Sequence, residues 1–233
     1  MAKRRTRKVK SDENRQADIL RPLNGKQAEY IESIKNNAVT ICTGVWGSSK
    51  SFIPSVMASD MLIAKKIQKI VVARPTEGKG KSIGYLKGDK NEKMEGWCAP
   101  VLETLKQRLG AGHLEAYLGN GTVELLALEQ VKGRSWDNTF ILVDEAEDLE
   151  PSVAKSLVGR QGINSKIVIT GDVNQQDMKS YSGLQVLLDV AKYVDLNIGH
   201  IDFSDWEYCV RSDEAMEWGK GFEKYERQHG KIK

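Results

Sequence analysis

Apolar residues along the 233-residue chain fall into short continuous runs separated by amphipathic stretches. The runs are AVTIC (38–42), KIVVA (69–73), TVELLAL (122–128), TFILV (139–143) and KIVIT (166–170), with HIDFS (200–204) as a late addition. Most are rich in β-branched side chains and bounded by turn residues, which predicts strands buried on both faces. Helical spacing of apolar positions predicts helices over 24–36, 51–66, 92–108, 151–159, 183–193 and 212–227. Asn24 is placed to cap the first helix. Pro54 falls in the first turn of the second, where proline is tolerated. Strands alternating with helices imply an α/β fold, a mostly parallel sheet with helices on both faces. Residues 1–20 lack any period and read as a flexible basic arm, leaving 21–233 as one domain.

Composition narrows the classes. The chain is 40% hydrophobic and 29% charged, which is globular. Its net charge is +3, but residues 1–15 hold seven Lys or Arg against Asp12 and Glu13. The body beyond the arm is therefore at −2, which argues against a uniformly basic nucleic-acid coat. No apolar run reaches the length of a membrane span, and no apolar segment follows the basic start as in a secretory signal. Cys42, Cys98 and Cys209 are odd in number and far apart, and His113, His200 and His229 form no cluster. A disulfide framework or structural zinc is therefore not expected, and a reducing, cytoplasmic compartment is.

The chemistry-bearing residues stand at strand ends, where open α/β sheets bind ligands. Gly44-Val45-Trp46-Gly47-Ser48-Ser49-Lys50-Ser51 joins a strand to a helix and approximates a phosphate-binding loop. Small residues let backbone N–H groups wrap phosphates at a helix N-terminus. Lys50 would reach the outer phosphates and Ser51 would ligate Mg²⁺. The pattern asks for glycine where this chain has Ser49. Phe140–Val143 ends in Asp144-Glu145, the acids a magnesium-nucleotide site needs on the neighbouring strand. Asp144 would hold the metal and Glu145 would polarise the attacking water. Ile169-Thr170-Gly171-Asp172 leads to Gln175, and either Asp172 or Gln175 could sense the outermost phosphate or position water. Each motif alone also fits an ordinary turn with solvated charges; their shared chain order favours the joint reading.

These residues resemble the PhoH-like family, phosphate-starvation-inducible ATPases with a core similar to superfamily 1 helicases. The resemblance runs from about Asn24 to Tyr225. Besides the phosphate loop and acidic strand end, it includes Ala73-Arg74-Pro75, the unusual Ile83-Gly84-Tyr85-Leu86-Lys87-Gly88-Asp89, Lys132-Gly133-Arg134-Ser135 and Val210-Arg211. It implies a P-loop NTPase fold of the RecA or helicase-like type, ATP as substrate and Mg²⁺ as cofactor. It further implies Gln27 as an adenine contact, and Gly44, Gly47, Ser48, Ser49, Lys50 and Ser51 as the phosphate cradle. Lys50, Asp144, Glu145 and Gln175 would be catalytic, with Arg211 as an arginine finger reaching a neighbouring subunit. The implied partners are RNA or another single-stranded nucleic acid and further copies of the chain in a ring, a hexamer. Arg74 and Arg134 fit either phosphate contacts or structural ion pairs.

Departures from the family keep alternatives open. Ser49 bears on hydrolysis more than on fold, so an ATP-binding scaffold, or an RNA-binding protein with weak hydrolysis, is the second reading. The Gly-Ser-Ser-Lys-Ser run also resembles the loop of some viral DNA-packaging ATPases, but no nuclease domain is recognisable after Arg211. Trp46 replaces a usual small residue and would either cover the nucleotide or pack beneath the loop. The size suits a short viral form, in which case the compartment would be the host cytoplasm. One core cannot make the two-lobed cleft of a processive helicase, so motor action would need oligomerisation.

Overall fold

A computed structural model describes residues 19–75, 90–173 and 181–231, without the side chains of 90–93. The basic arm up to residue 18, the 83–89 stretch and Gln175 lie outside the described residues. The strands are β1 (Val39–Gly44), β2 (Lys69–Arg74), β3 (Val123–Ala127), β4 (Thr139–Val143), β5 (Lys166–Gly171) and β6 (Gly199–Phe203). They form one six-stranded sheet in the order β3-β2-β4-β5-β1-β6, with every ladder parallel. Parallel neighbours cannot be joined by hairpins, so a helix or long connection must return the chain each time. The helices are α1 (Gly25–Asn36), α2 (Phe52–Ile63), α3 (Lys90–Trp97), α4 (Ala99–Leu109), α5 (Ala111–Asn120), α6 (Pro151–Val158), α7 (Gly183–Tyr193) and α8 (Asp213–His229).

The continuous apolar strands have a direct consequence in packing. Successive side chains point to opposite faces, so β4 sends Phe140 and Leu142 into one core and Ile141 and Val143 into another. The first core is closed by Tyr30, Ile31 and Ile34 of α1, Ile53 and Met57 of α2, and Val101 and Leu105 of α4. The second is closed by Ala154 and Leu157 of α6 and Leu184 of α7. Helices thus cover both faces, as the pattern of runs predicts. β6 is an edge strand and alternates buried Ile201 and Phe203 with exposed His200 and Asp202, which is why its run looks less apolar.

The structure departs from the sequence pattern at three points, two expectations and one helix the pattern does not predict. The acidic strand end is not on the strand beside the phosphate loop, because β5 lies between β1 and β4. The stretch 92–108 is two helices, broken at Cys98. Pro100 stands in the first turn of α4; with no N–H to donate, it fits a helix start and not an interior. The third is α5, whose glycines at 112 and 119 and single buried apolar residue, Leu114, hide its period. The caps of α1, α7 and α8 follow side-chain chemistry: Asn24, Ser182 and Ser212 each accept from a first-turn N–H.

Candidate nucleotide-binding site

β1 ends at Gly44 and the chain turns over the N-terminus of α2. Two turn residues take the left-handed backbone: Gly47 at φ 72° and Ser49 at φ 70°. Glycine adopts this region freely, whereas a residue with a Cβ gives up about 1 kcal/mol. Ser49 therefore holds, under strain, a backbone conformation that favours glycine. Ser48 is buried and its Oγ donates to Val45 O at 2.9 Å, closing the turn from within. Lys50 folds back over the loop, its Nζ donating to Gly44 O and Val45 O at 2.6 Å each. The buried Tyr30 hydroxyl donates to Lys50 O at 3.0 Å, tying the loop to α1. A cavity of about 420 Å³ opens beside these groups, and the acids of β4 and the end of β5 line it.

Asp144 stands just past β4 and is buried. Its backbone N donates to Ala73 O of β2 at 3.0 Å. Its Oδ1 accepts from Ser51 Oγ at 2.5 Å and from Thr170 Oγ1 at 2.8 Å. Thr170 belongs to the intervening β5, so that strand supplies a hydroxyl to the carboxylate instead of separating it from the loop. The facing Ser51 hydroxyl and Asp144 carboxylate are hard oxygen donors of the kind Mg²⁺ takes, with phosphates and water completing the shell. Among the described residues no cluster of three His, Cys, Asp or Glu forms a self-sufficient metal site.

Glu145 is the next residue, in the left-handed region at φ 57° and ψ 45°. Its carboxylate pairs with Arg74 at 3.1 Å, and Arg74 also donates to Trp97 O. Arg74 thus stands in the site. Glu147 is buried against Gly171, and its Oε2 accepts from Asp172 N at 3.1 Å. Burial first, and the neighbouring Glu145 second, push its carboxyl from the ordinary 4.5 up to about 9. A raised acid favours the folded state while its proton stays on. That contribution is complete below about pH 4.5 and is lost as pH rises through about 9. Glu147→Gln, which cannot ionise, is expected to equal the parent near pH 4 and to be more stable than it by about 5 kcal/mol at pH 8. Thermal unfolding across that range reads the effect; a gap independent of pH would contradict a neutral Glu147.

The remaining candidates separate clearly. Gln27 is not a surface residue: it is 2% exposed. Its Oε1 accepts from Leu23 N at 2.9 Å, which turns Nε2 toward Ser49 Oγ, 3.4 Å away. The resemblance points Arg211 at a neighbour, yet its stem lies against Gly47 of its own loop. Val210 N donates to Gly47 O at 2.9 Å on the same segment. Trp46 packs edge-on against Trp206, with centroids 5.1 Å apart, so it is held by the chain's own later segment. Arg134 pairs with Glu124, which also takes Lys69 at 2.6 Å, near the amino ends of β2 and β3 and away from the loop. Thr170 and Glu147 carry no sequence signal beyond a hydroxyl closing an apolar strand and a third acid after Asp144.

This geometry can be set beside known proteins. The PhoH-like protein of Bacillus subtilis (strain 168) is 34% identical over 171 residues, 72% of this chain and 54% of its own length. Protein PhoH of Escherichia coli (strain K12) is 31% identical over 193 residues, 81% and 54% respectively. The chain therefore spans about half the length of these relatives. Among solved structures, the large terminase of a thermophilic bacteriophage in complex with ADP aligns with a TM-score of 0.48 at 12% identity, over 89% of this chain and 50% of that one. The family model described as PhoH-like protein matches residues 19–221. With its six-stranded parallel sheet in an α/β arrangement, the chain belongs to the PhoH-like family.

Proposed function

We propose that the chain binds ATP with Mg²⁺ and hydrolyses the terminal phosphate, coupled to single-stranded nucleic acid such as RNA in a homo-oligomer. The observation that carries the nucleotide chemistry is the 2.5 Å contact between Ser51 of the loop and Asp144 of β4. It joins a phosphate cradle to an acidic strand end across an intervening strand. In this reading the loop N–H groups and the α2 N-terminus receive the phosphates. Lys50 exchanges its two carbonyl partners for phosphate oxygens. Ser51 and Asp144 would hold Mg²⁺, which supplies charge neutralisation on the phosphates when bound. Glu145 accepts a proton from the attacking water, and Arg74 orients its carboxylate. Gln27 faces the loop from α1 and contacts the base.

Nucleic acid and oligomer rest on family membership, and the arm's seven basic residues suit sequence-independent phosphate contacts. Cytoplasmic residence fits three free cysteines, two of them buried. No described helix is long and apolar enough to cross a membrane.

The strained backbone at Ser49 favours a second reading, a nucleotide-binding scaffold with little turnover. Phosphate release measured with Mg²⁺, with and without single-stranded RNA, decides between them when Ser49→Gly is run beside the parent. The ATPase reading expects Mg²⁺-dependent release by the parent chain. Nucleotide binding without release, restored by Ser49→Gly, would establish the scaffold. Neither binding nor release in either form would overturn both.

A further inference from the structure

The segment 205–211 crosses the phosphate loop of its own chain and is pinned to it at three points. Trp206 meets Trp46 edge-on at 5.1 Å between centroids. Val210 N donates to Gly47 O at 2.9 Å. A Cβ built on Gly47 would lie 2.9 Å from both Cys209 Sγ and Arg211 Cγ, so these two side chains rest on the bare glycine. The strap is braced from behind as well. Trp206 Nε1 donates to Glu223 Oε2 of α8 at 2.7 Å, and its ring fills the space left by Gly219. Arg211 is thereby carried on a braced element whose stem lies against the cradle. It lines the same cavity as Lys50, Ser51 and Glu145, and no acid among the described residues pairs with it.

We propose that Arg211 contacts the terminal phosphate of the nucleotide bound by its own chain, acting in cis and not on a neighbouring subunit. The inference rests on the ATPase reading above and adds to it. A cation with no counter-ion among the described residues, at the mouth of a phosphate cradle, is completed by phosphate. An arginine serving a neighbour would have to project from its own cradle, whereas the Arg211 stem is packed against it. Oligomerisation is then not needed to supply this cation.

Two measurements on the full chain test this. The first is binding: Arg211→Ala is expected to weaken ATP about tenfold while ADP affinity stays within about twofold, because only ATP carries the contacted phosphate. The second mixes Arg211→Ala with Lys50→Ala chains at varied ratios. In cis, each variant is defective in its own site, so turnover at every ratio is the weighted sum of the two alone. In trans, the mixture would recover to about a quarter of the parent at equal amounts, because an intact cradle meets an intact arginine across heterologous contacts. Arg211→Ala alone is expected to lose turnover about 30-fold, with partial rescue by Arg211→Lys. Recovery on mixing, or unchanged ATP affinity in Arg211→Ala beside normal binding by the parent, overturns the cis assignment alone. Absence of nucleotide binding by the parent chain removes the ATPase reading and this inference together.

Discussion

Glu145→Gln is expected to lower ATP turnover about 1,000-fold and to leave nucleotide affinity within about twofold. The carboxylate stands one residue beyond Asp144, and its partners are Arg74 at 3.1 Å and the neighbouring Glu147, neither of which belongs to the loop. Removing its basicity therefore touches proton abstraction and not the cradle. The paired variant behaves differently. Lys50→Ala deletes the amine that now spans two loop carbonyls and would otherwise hold phosphate oxygens. Loss of charge-assisted hydrogen bonds of this kind costs about 2 kcal/mol, so affinity should fall about 30-fold along with turnover. Single-turnover phosphate release and equilibrium nucleotide titration separate the two. If Glu145→Gln keeps more than about a tenth of parent turnover, the water is activated elsewhere, and Asp172, which lines the same cavity, is the next acid to test.

The strands and most helices are legible in the chain because their signals are local. A β-branched run such as TFILV needs no partner to be recognised, and α7 matches its predicted limits from Gly183 to Tyr193. The order of strands is not legible. Whether β5 or β4 lies beside β1 depends on how crossovers pack over the sheet, and no residue spacing encodes it. That is why the sequence places Asp144 on the adjacent strand, and why it gives no role to Thr170, the hydroxyl supplied by the strand between. The break at Cys98 is hidden because one side chain facing the core can satisfy two helices in succession. The site's polar residues are legible by type and order, since loop, acid pair and Gly-Asp turn each end an apolar run. Their partners are not. The pairing of Glu145 with Arg74, the burial of Glu147 and the resting place of Arg211 on Gly47 all depend on contacts made only in the folded chain. The family resemblance can name Arg211 but cannot say whose phosphates it meets.

Gly44→Ala is expected to destabilise the fold by about 4 kcal/mol, lowering the unfolding midpoint by about 12 °C in a chain of this size. Gly44 stands at φ 136°, where side-chain-bearing residues are strained. An added Cβ would also lie 2.3 Å from the carbonyl carbon and 2.4 Å from the oxygen of Phe203. Those are backbone atoms of β6, registered opposite Gly44 in the parallel ladder. They cannot retreat cheaply. Phe203 is fully buried, with its ring edge-on to Tyr30 at 5.8 Å and to Tyr208 at 5.6 Å. Val45 N donates to the same Phe203 oxygen at 3.1 Å, so displacing β6 also unties the first residue of the loop. The contrasting control is Gly121→Ala: φ is 78°, yet nothing lies within 4 Å of the new methyl. That change carries backbone strain alone, about 1 kcal/mol. Thermal unfolding of the two variants against the parent therefore separates strain from collision. A Gly44→Ala midpoint no lower than that of Gly121→Ala would show that β6 yields, and that the glycine ending β1 is kept for the phosphates and not for the sheet.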